Sequence, residues 1–139
     1  MPPAQQKILI VDDDADFRQS LGFFLESQGY AVRQATDARQ GLLLARLERP
    51  DLIIMDLMMS ERTEGLFAIQ ELRRSADLPK TPIFVISSLY AKVPDFQVPP
   101  DSAWLGHDEF FPKPVDLPRL LEAIRRRLST QTPSETNKP

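Results

Sequence analysis

The chain has 139 residues, 42% of them hydrophobic and 27% charged, with a net charge of −3; that fits one soluble globular domain with a single core, and the slight acidity gives no general attraction to nucleic acid or to an anionic membrane. Cysteine is absent and the single histidine is His107, which excludes disulfides, thiolate catalysis and metal centres built on cysteine or histidine clusters. The opening MPPAQQK lacks the apolar core of a signal peptide, and no apolar run reaches the length of a membrane span, so a cytoplasmic protein is expected.

KILIVD, 7–12, is a β-branched apolar run and reads as a strand buried on both faces. In 15–29, Phe17, Leu21, Phe24 and Leu25 recur at helical spacing, with Asp14 placed to cap the start and Gly29 to end the helix. YAVRQA, 30–35, is the second strand. Thr36 or Asp37 then opens a helix with Ala38, Leu42, Ala45 and Arg46 on one side, stopped by Pro50. DLIIMD, 51–56, is an apolar strand ending in an acid, and a helix from about Leu66 to Ser75 carries Leu66, Ile69, Leu72 and Arg73 in register. PIFVIS, 82–87, and EFF, 109–111, are the fourth and fifth strands. The last helix, capped by Asp116, has Leu117, Leu120, Leu121, Ile124 and Leu128 in one stripe; Arg125, Arg126 and Arg127 near its end compensate the helix dipole. Residues 129–139 hold no apolar side chain and read as a disordered tail after one domain spanning 1–128.

Alternating strands and helices imply βαβ units: an α/β, flavodoxin-like, doubly wound parallel sheet of five strands, order 2-1-3-4-5, with helices on both faces. Ligands of such sheets bind beyond the carboxyl ends of the strands, at the switch point between strands 1 and 3. The first strand ends at Asp12 and Asp13, the third at Asp56, the fourth at Ser87 and Ser88, and the fifth runs into Lys113. Carboxylates gathered this closely repel, so a proton or a cation must neutralise them. A hard divalent ion with oxygen ligands suits the set, and Mg²⁺ is the natural choice. A metal, a free carboxylate and a lysine are the parts of phosphoryl transfer, with an aspartate able to become an acyl phosphate. Taken singly, Asp12–Asp13 is a turn, Asp56 a strand-end cap, Ser87 a satisfied hydroxyl and Lys113 a surface lysine. Their joint placement on one sheet edge favours the functional reading.

ILIVDDD, PDLIIMDLMM, FVISS and FFPKPV together resemble a response-regulator receiver domain of two-component signalling, similar to the chemotaxis regulators, over about residues 6–128. The sheet order above is that family's own, so it is not independent of the resemblance. The resemblance implies that Asp56 accepts the phosphoryl group and that Asp12, Asp13 and Asp56 hold Mg²⁺ together with the carbonyl of Met58, Asp13 being the more direct ligand. It also implies that Ser87 is the switch hydroxyl and that Lys113 binds a phosphate oxygen, with a cis peptide before Pro114. Phe110 falls at the rotating aromatic of strand 5, or is simple core. The donor would be a phosphohistidine on a sensor histidine kinase or a phosphotransfer protein, as in a phosphorelay. A downstream protein would read the state, with the domain a monomer or a weak homodimer. The domain would assist its own phosphorylation and dephosphorylation without being an enzyme.

Four departures from the family pattern stand out. Ser60 replaces the usual proline, and Gly65 comes one residue late, which predicts a longer loop over SERTEG. Met58 and Leu89 are apolar where an attacking water could be hydrogen-bonded, which predicts slow self-dephosphorylation. Pro94, Pro99 and Pro100 lie where the fourth helix should run, each costing about 3 kcal/mol inside a helix. A loop or a short displaced turn is therefore expected there, with Tyr90, Phe96 and Trp104 pinning it or presenting a contact surface. This change to the usual output face leaves an alternative open: an interaction module that works without phosphorylation. A phosphatase of the haloacid-dehalogenase type would need an acid at Met58, and a flavin phosphate would be repelled by DDDAD. DNA binding is not expected within this stretch, since 129–139 cannot fold into a reader.

Overall fold

The computed structural model describes residues 5–56, 64–74, 81–87 and 109–129, with Ser87 and residues 64–67 described by their backbone. The expectations for Met58, Ser60, Leu89, a loop or short turn in place of the fourth helix, and the tail beyond Ser129 lie outside those residues. Five strands form one parallel sheet in the order β2-β1-β3-β4-β5: β1 (Lys7–Val11), β2 (Ala31–Ala35), β3 (Leu52–Met55), β4 (Ile83–Ser87) and β5 (Glu109–Pro112). Among the described residues four helices accompany them: α1 (Ala15–Ser27), α2 (Ala38–Glu48), α3 (Glu64–Arg74) and α4 (Leu117–Ser129). The expected sheet and its order are present.

The pleat sorts the apolar strands onto two cores. Leu9, Val11, Ile53, Met55, Ile83 and Val85 face α2 and α3, meeting Ala45, Ala68, Ile69 and Leu72. Ile8, Ile10, Leu52, Ile54, Phe84 and Ile86 face α1 and α4, meeting Leu21, Leu25, Leu120, Ala123, Ile124 and Leu128. Each of the larger side chains contributes about 1.5–3 kcal/mol on full burial, so both faces anchor the strand ends that carry the acids.

The helix ends follow the local sequence. Asp14 caps α1 by accepting from the Phe17 amide at 3.1 Å. Gly29, at φ +100°, closes α1: its amide donates to Glu26 and that of Tyr30 to Leu25, a left-handed stop that favours glycine. Asp37 caps α2 through the Gln40 amide, and Thr36 instead donates its amide and hydroxyl to the Gln40 side chain. Asp116 accepts from the Arg119 amide at the start of α4. Two details differ from expectation. α3 begins at Glu64, so Gly65 lies inside the helix. Arg46 is exposed, and Gly41 with Ala45 forms the buried side of α2. A Cβ at Gly41 would stand 2.8 Å from a Val11 methyl, so glycine lets α2 lie directly on β1, one residue before Asp12.

Candidate functional site

The sheet ladder continues past the formal ends of β1 and β3. The Asp12 amide donates to the Ala35 carbonyl at 3.1 Å, and the Asp56 amide to Val11 at 3.0 Å. Both acids are therefore held by the same hydrogen bonds that build the sheet, and they emerge side by side at the switch point. Asp12 is 2% and Asp56 5% exposed, the only charged residues buried to that degree among those described. Asp13, next along the turn, is exposed. One oxygen from each of Asp12, Asp13 and Asp56 lies within 4.8 Å of the other two.

Lys113 comes from the turn after β5, where its peptide bond to Pro114 is cis. Its ammonium donates to Asp12 Oδ2 at 2.8 Å and stands 3.5 Å from Asp56 Oδ2. Burial alone would lower the lysine pKa. The hydrogen bond to Asp12 and the charges of Asp56, Asp12 and Asp14 outweigh burial and raise it, so the side chain stays a cation. The other Asp12 oxygen accepts the Asp14 amide at 2.9 Å. Arg18 donates to the Asp12 carbonyl at 2.8 Å and to the Gln34 side chain at 3.1 Å, tying the acidic turn to α1 and β2.

The predicted set is thus brought together at Asp12, Asp13, Asp56 and Lys113. Ser87 ends β4 in register with Pro112, the residue before Lys113, which puts its backbone on the same edge. Phe110 is half-buried and packs on the core beneath α2 and α3. Two contributors escaped the sequence reading. Arg18 follows the acidic run by about a helical turn, a spacing that could have signalled it. Phe17, assigned to the apolar stripe of α1, also lies 4.4 Å from the Lys113 ammonium, measured to its ring centroid.

As a metal site the donor set is consistent: three carboxylates and no sulfur or imidazole, which suits a hard, oxygen-seeking divalent ion. The acid with most access to solvent is Asp13, while Asp12 already spends one oxygen on Lys113 and the other on an amide.

The sequence profile of the response regulator receiver domain matches residues 8–125. "Response regulator MprA" of Mycolicibacterium vanbaalenii is 35% identical over 130 residues, which cover 93% of this chain and 53% of that protein. The "DNA-binding dual master transcriptional regulator RpaA" of Synechocystis is 35% identical over 125 residues, covering 88% of this chain and 48% of that protein. The chain therefore spans about half the length of such curated relatives. Among solved structures, Vibrio cholerae chemotaxis protein CheY4 superposes with a TM-score of 0.74 at 28% identity, over 88% of this chain and 98% of that one. A CheY-like receiver domain from Methanospirillum hungatei gives 0.77 at 27% identity, over 92% and 97%. No helix among the described residues is long and apolar enough to cross a membrane.

Proposed function

This chain belongs to the response regulator receiver family of two-component systems, and on that premise we propose that Asp56 accepts a phosphoryl group from a phosphohistidine on a sensor kinase or phosphotransfer protein. In the step, an Asp56 carboxylate oxygen attacks phosphorus, the phosphorus–nitrogen bond breaks, and its electron pair stays on the departing imidazole. An acyl phosphate results. The observation that carries this reading is the meeting of Asp12, Asp13 and Asp56 with one lysine at the switch point of the sheet. Lys113 stands 3.5 Å from Asp56 Oδ2, within reach of an oxygen carried on that carboxylate, and offers a compact charge to it.

Asp12, Asp13 and Asp56, with the carbonyl of Met58, would hold Mg²⁺, which when bound neutralises the charge of the transferring group. Asp12, pinned between the Asp14 amide and Lys113, orients the lysine. Asp13 faces solvent, where an incoming group arrives. Ser87 supplies the hydroxyl that would bond to the new phosphoryl oxygen and so report its presence. A partner protein reads that change. The domain takes the group onto itself and assists its own phosphorylation and dephosphorylation, so it acts as a phosphoacceptor and not as an enzyme.

The test is incubation with a small phosphodonor, with Mg²⁺ or with a chelator, for wild type and Asp56→Asn. Label should enter wild type only, and only with metal. Label in Asp56→Asn to the same extent would refute Asp56 as the acceptor. Absence of label in wild type, with kinase as well as with the small donor, would leave the phosphorylation-independent module as the reading to pursue.

A further inference from the structure

Helical spacing explains why Phe17 is apolar, but not why it is aromatic. Phe17 lies in the first turn of α1, half-buried beside the core under α1 and α4. A leucine would fill that stripe as well. The ring does one further thing: it lies under the Lys113 ammonium, 4.4 Å from centroid to nitrogen, inside the range of about 6 Å in which a ring face attracts a cation.

Lysine carries three donors on a flexible stem. At Lys113 the structure offers it three electron-rich neighbours: Asp12 Oδ2 at 2.8 Å, Asp56 Oδ2 at 3.5 Å and the face of Phe17. The two carboxylates pull from the sheet and the ring lies on α1, so the ammonium is held from separate elements. The surroundings strengthen the ring's hold. Phe17, Leu21, Pro114, Val115 and Leu117 line a largely apolar recess beside the lysine stem, and the Lys113 side chain is mostly buried; a cation–π contact gains where water is scarce. The ring is itself placed by the acidic turn, because the Phe17 amide donates to the Asp14 cap.

We propose that Phe17 is a positioning residue for phosphoryl acceptance, its ring face holding the Lys113 ammonium between Asp12 and Asp56. The inference rests on the phosphoacceptor reading above. Phe17 does not touch the reacting atoms; it acts through Lys113. Phe17→Leu keeps the apolar volume and removes the π face. Phe17→Tyr keeps both. Replacement of Phe17 by mono-, di- and pentafluorophenylalanine keeps the shape and drains the face of negative charge in steps.

The experiment measures the rate of labelling by a small phosphodonor at fixed Mg²⁺ across this series, with thermal unfolding beside it. A second measurement follows the NMR shift of the Lys113 Hε protons, which a ring beneath them moves upfield. Expected are a rate about threefold to tenfold lower for Phe17→Leu, a stepwise fall with fluorination, wild-type rate in Phe17→Tyr, and loss of the upfield shift in Phe17→Leu. An unchanged rate in Phe17→Leu overturns the proposal. So does a slow Phe17→Leu beside a flat fluorinated series, since that pattern means packing alone. Absence of labelling in wild type, with kinase as well as with the small donor, while the ring shift is present would bring down the phosphoacceptor reading, and the positioning role with it; labelling of wild type with a flat series brings down only the latter.

Discussion

Replacing Lys113 by methionine keeps the length of the stem and removes the charge between two buried carboxylates. In wild type the ammonium is 2.8 Å from Asp12 and 3.5 Å from Asp56, and the lysine side chain is 18% exposed. Removing one partner of a buried ion pair costs about 3–5 kcal/mol, because the remaining charge is left uncompensated. Partial exposure of Lys113 argues for the lower end, so about 3 kcal/mol is expected in the absence of metal at neutral pH. For a domain of this size that corresponds to a fall in Tm of about 10 °C. The pH dependence has a definite sign. The lysine pKa is raised in the folded state, by the Asp12 hydrogen bond and the charges of Asp56, Asp12 and Asp14 acting against burial. Its contribution is therefore complete below the ordinary lysine value of about 10.4, and is lost as pH rises through the elevated folded value. Urea titration of wild type and Lys113→Met, between pH 7 and pH 11 and with chelator or excess Mg²⁺, reads all of this. The gap should be wide at neutral pH in chelator, should begin to narrow toward the alkaline end, and should narrow also when the metal supplies the missing positive charge. A gap below about 1 kcal/mol at pH 7 in chelator would refute the reasoning, because such a value belongs to an exposed pair.

Gly41→Ala should cost about 1–3 kcal/mol, since the new Cβ meets Val11 methyls at 2.8 and 2.9 Å; adding Val11→Ala should cost less in that background than in wild type, as a double-mutant cycle by urea unfolding would show. Asp116→Ala removes the cap of α4 and should lower stability by about 1 kcal/mol with the labelling rate unchanged. Asp14→Ala should cost a similar amount through α1 and also slow labelling, because it frees the amide that seats Phe17. The acyl phosphate should persist for minutes or longer, Met58 and Leu89 giving no hydrogen bond to a water; decay of the label within seconds after donor removal would contradict this.

The parts of this structure that were legible in the sequence are those decided by one short run of residues. LIIM and the run ending at Val11 are apolar throughout because the strands are covered on both faces. The same uniformity hid which residue faces which helix pair: Leu9 and Ile8 look alike in sequence, yet they serve opposite cores. The caps at Asp14 and Asp116 were legible because one side chain and one amide decide them. The choice between Thr36 and Asp37 was not, because it depends on where Gln40 folds back. α3 starts earlier than the sequence predicts, since a glycine discourages a helix locally while Ile69 and Leu72, buried under the sheet, hold it in place. Phe17 shows the limit most sharply. Its stripe was visible in α1, but its contact is with a lysine delivered by the far end of the sheet.

The same division explains why the site was legible at all. Its two buried acids are hydrogen-bonded as though they were further residues of their strands, Asp12 to Ala35 and Asp56 to Val11. A strand end is visible in sequence, so the position of each charge could be read from where the apolar run stops. What binds the charges to one another is a different matter, because Lys113 reaches them through a turn after β5 and the α1 ring meets it from another element. The acids are thus set by the sheet, and the cation by packing among α1, α4 and the β5 turn. Disturbances of the two should separate: a change in the ladder moves the acceptor, while a change in that packing leaves the acids in place and shifts only the lysine that completes them.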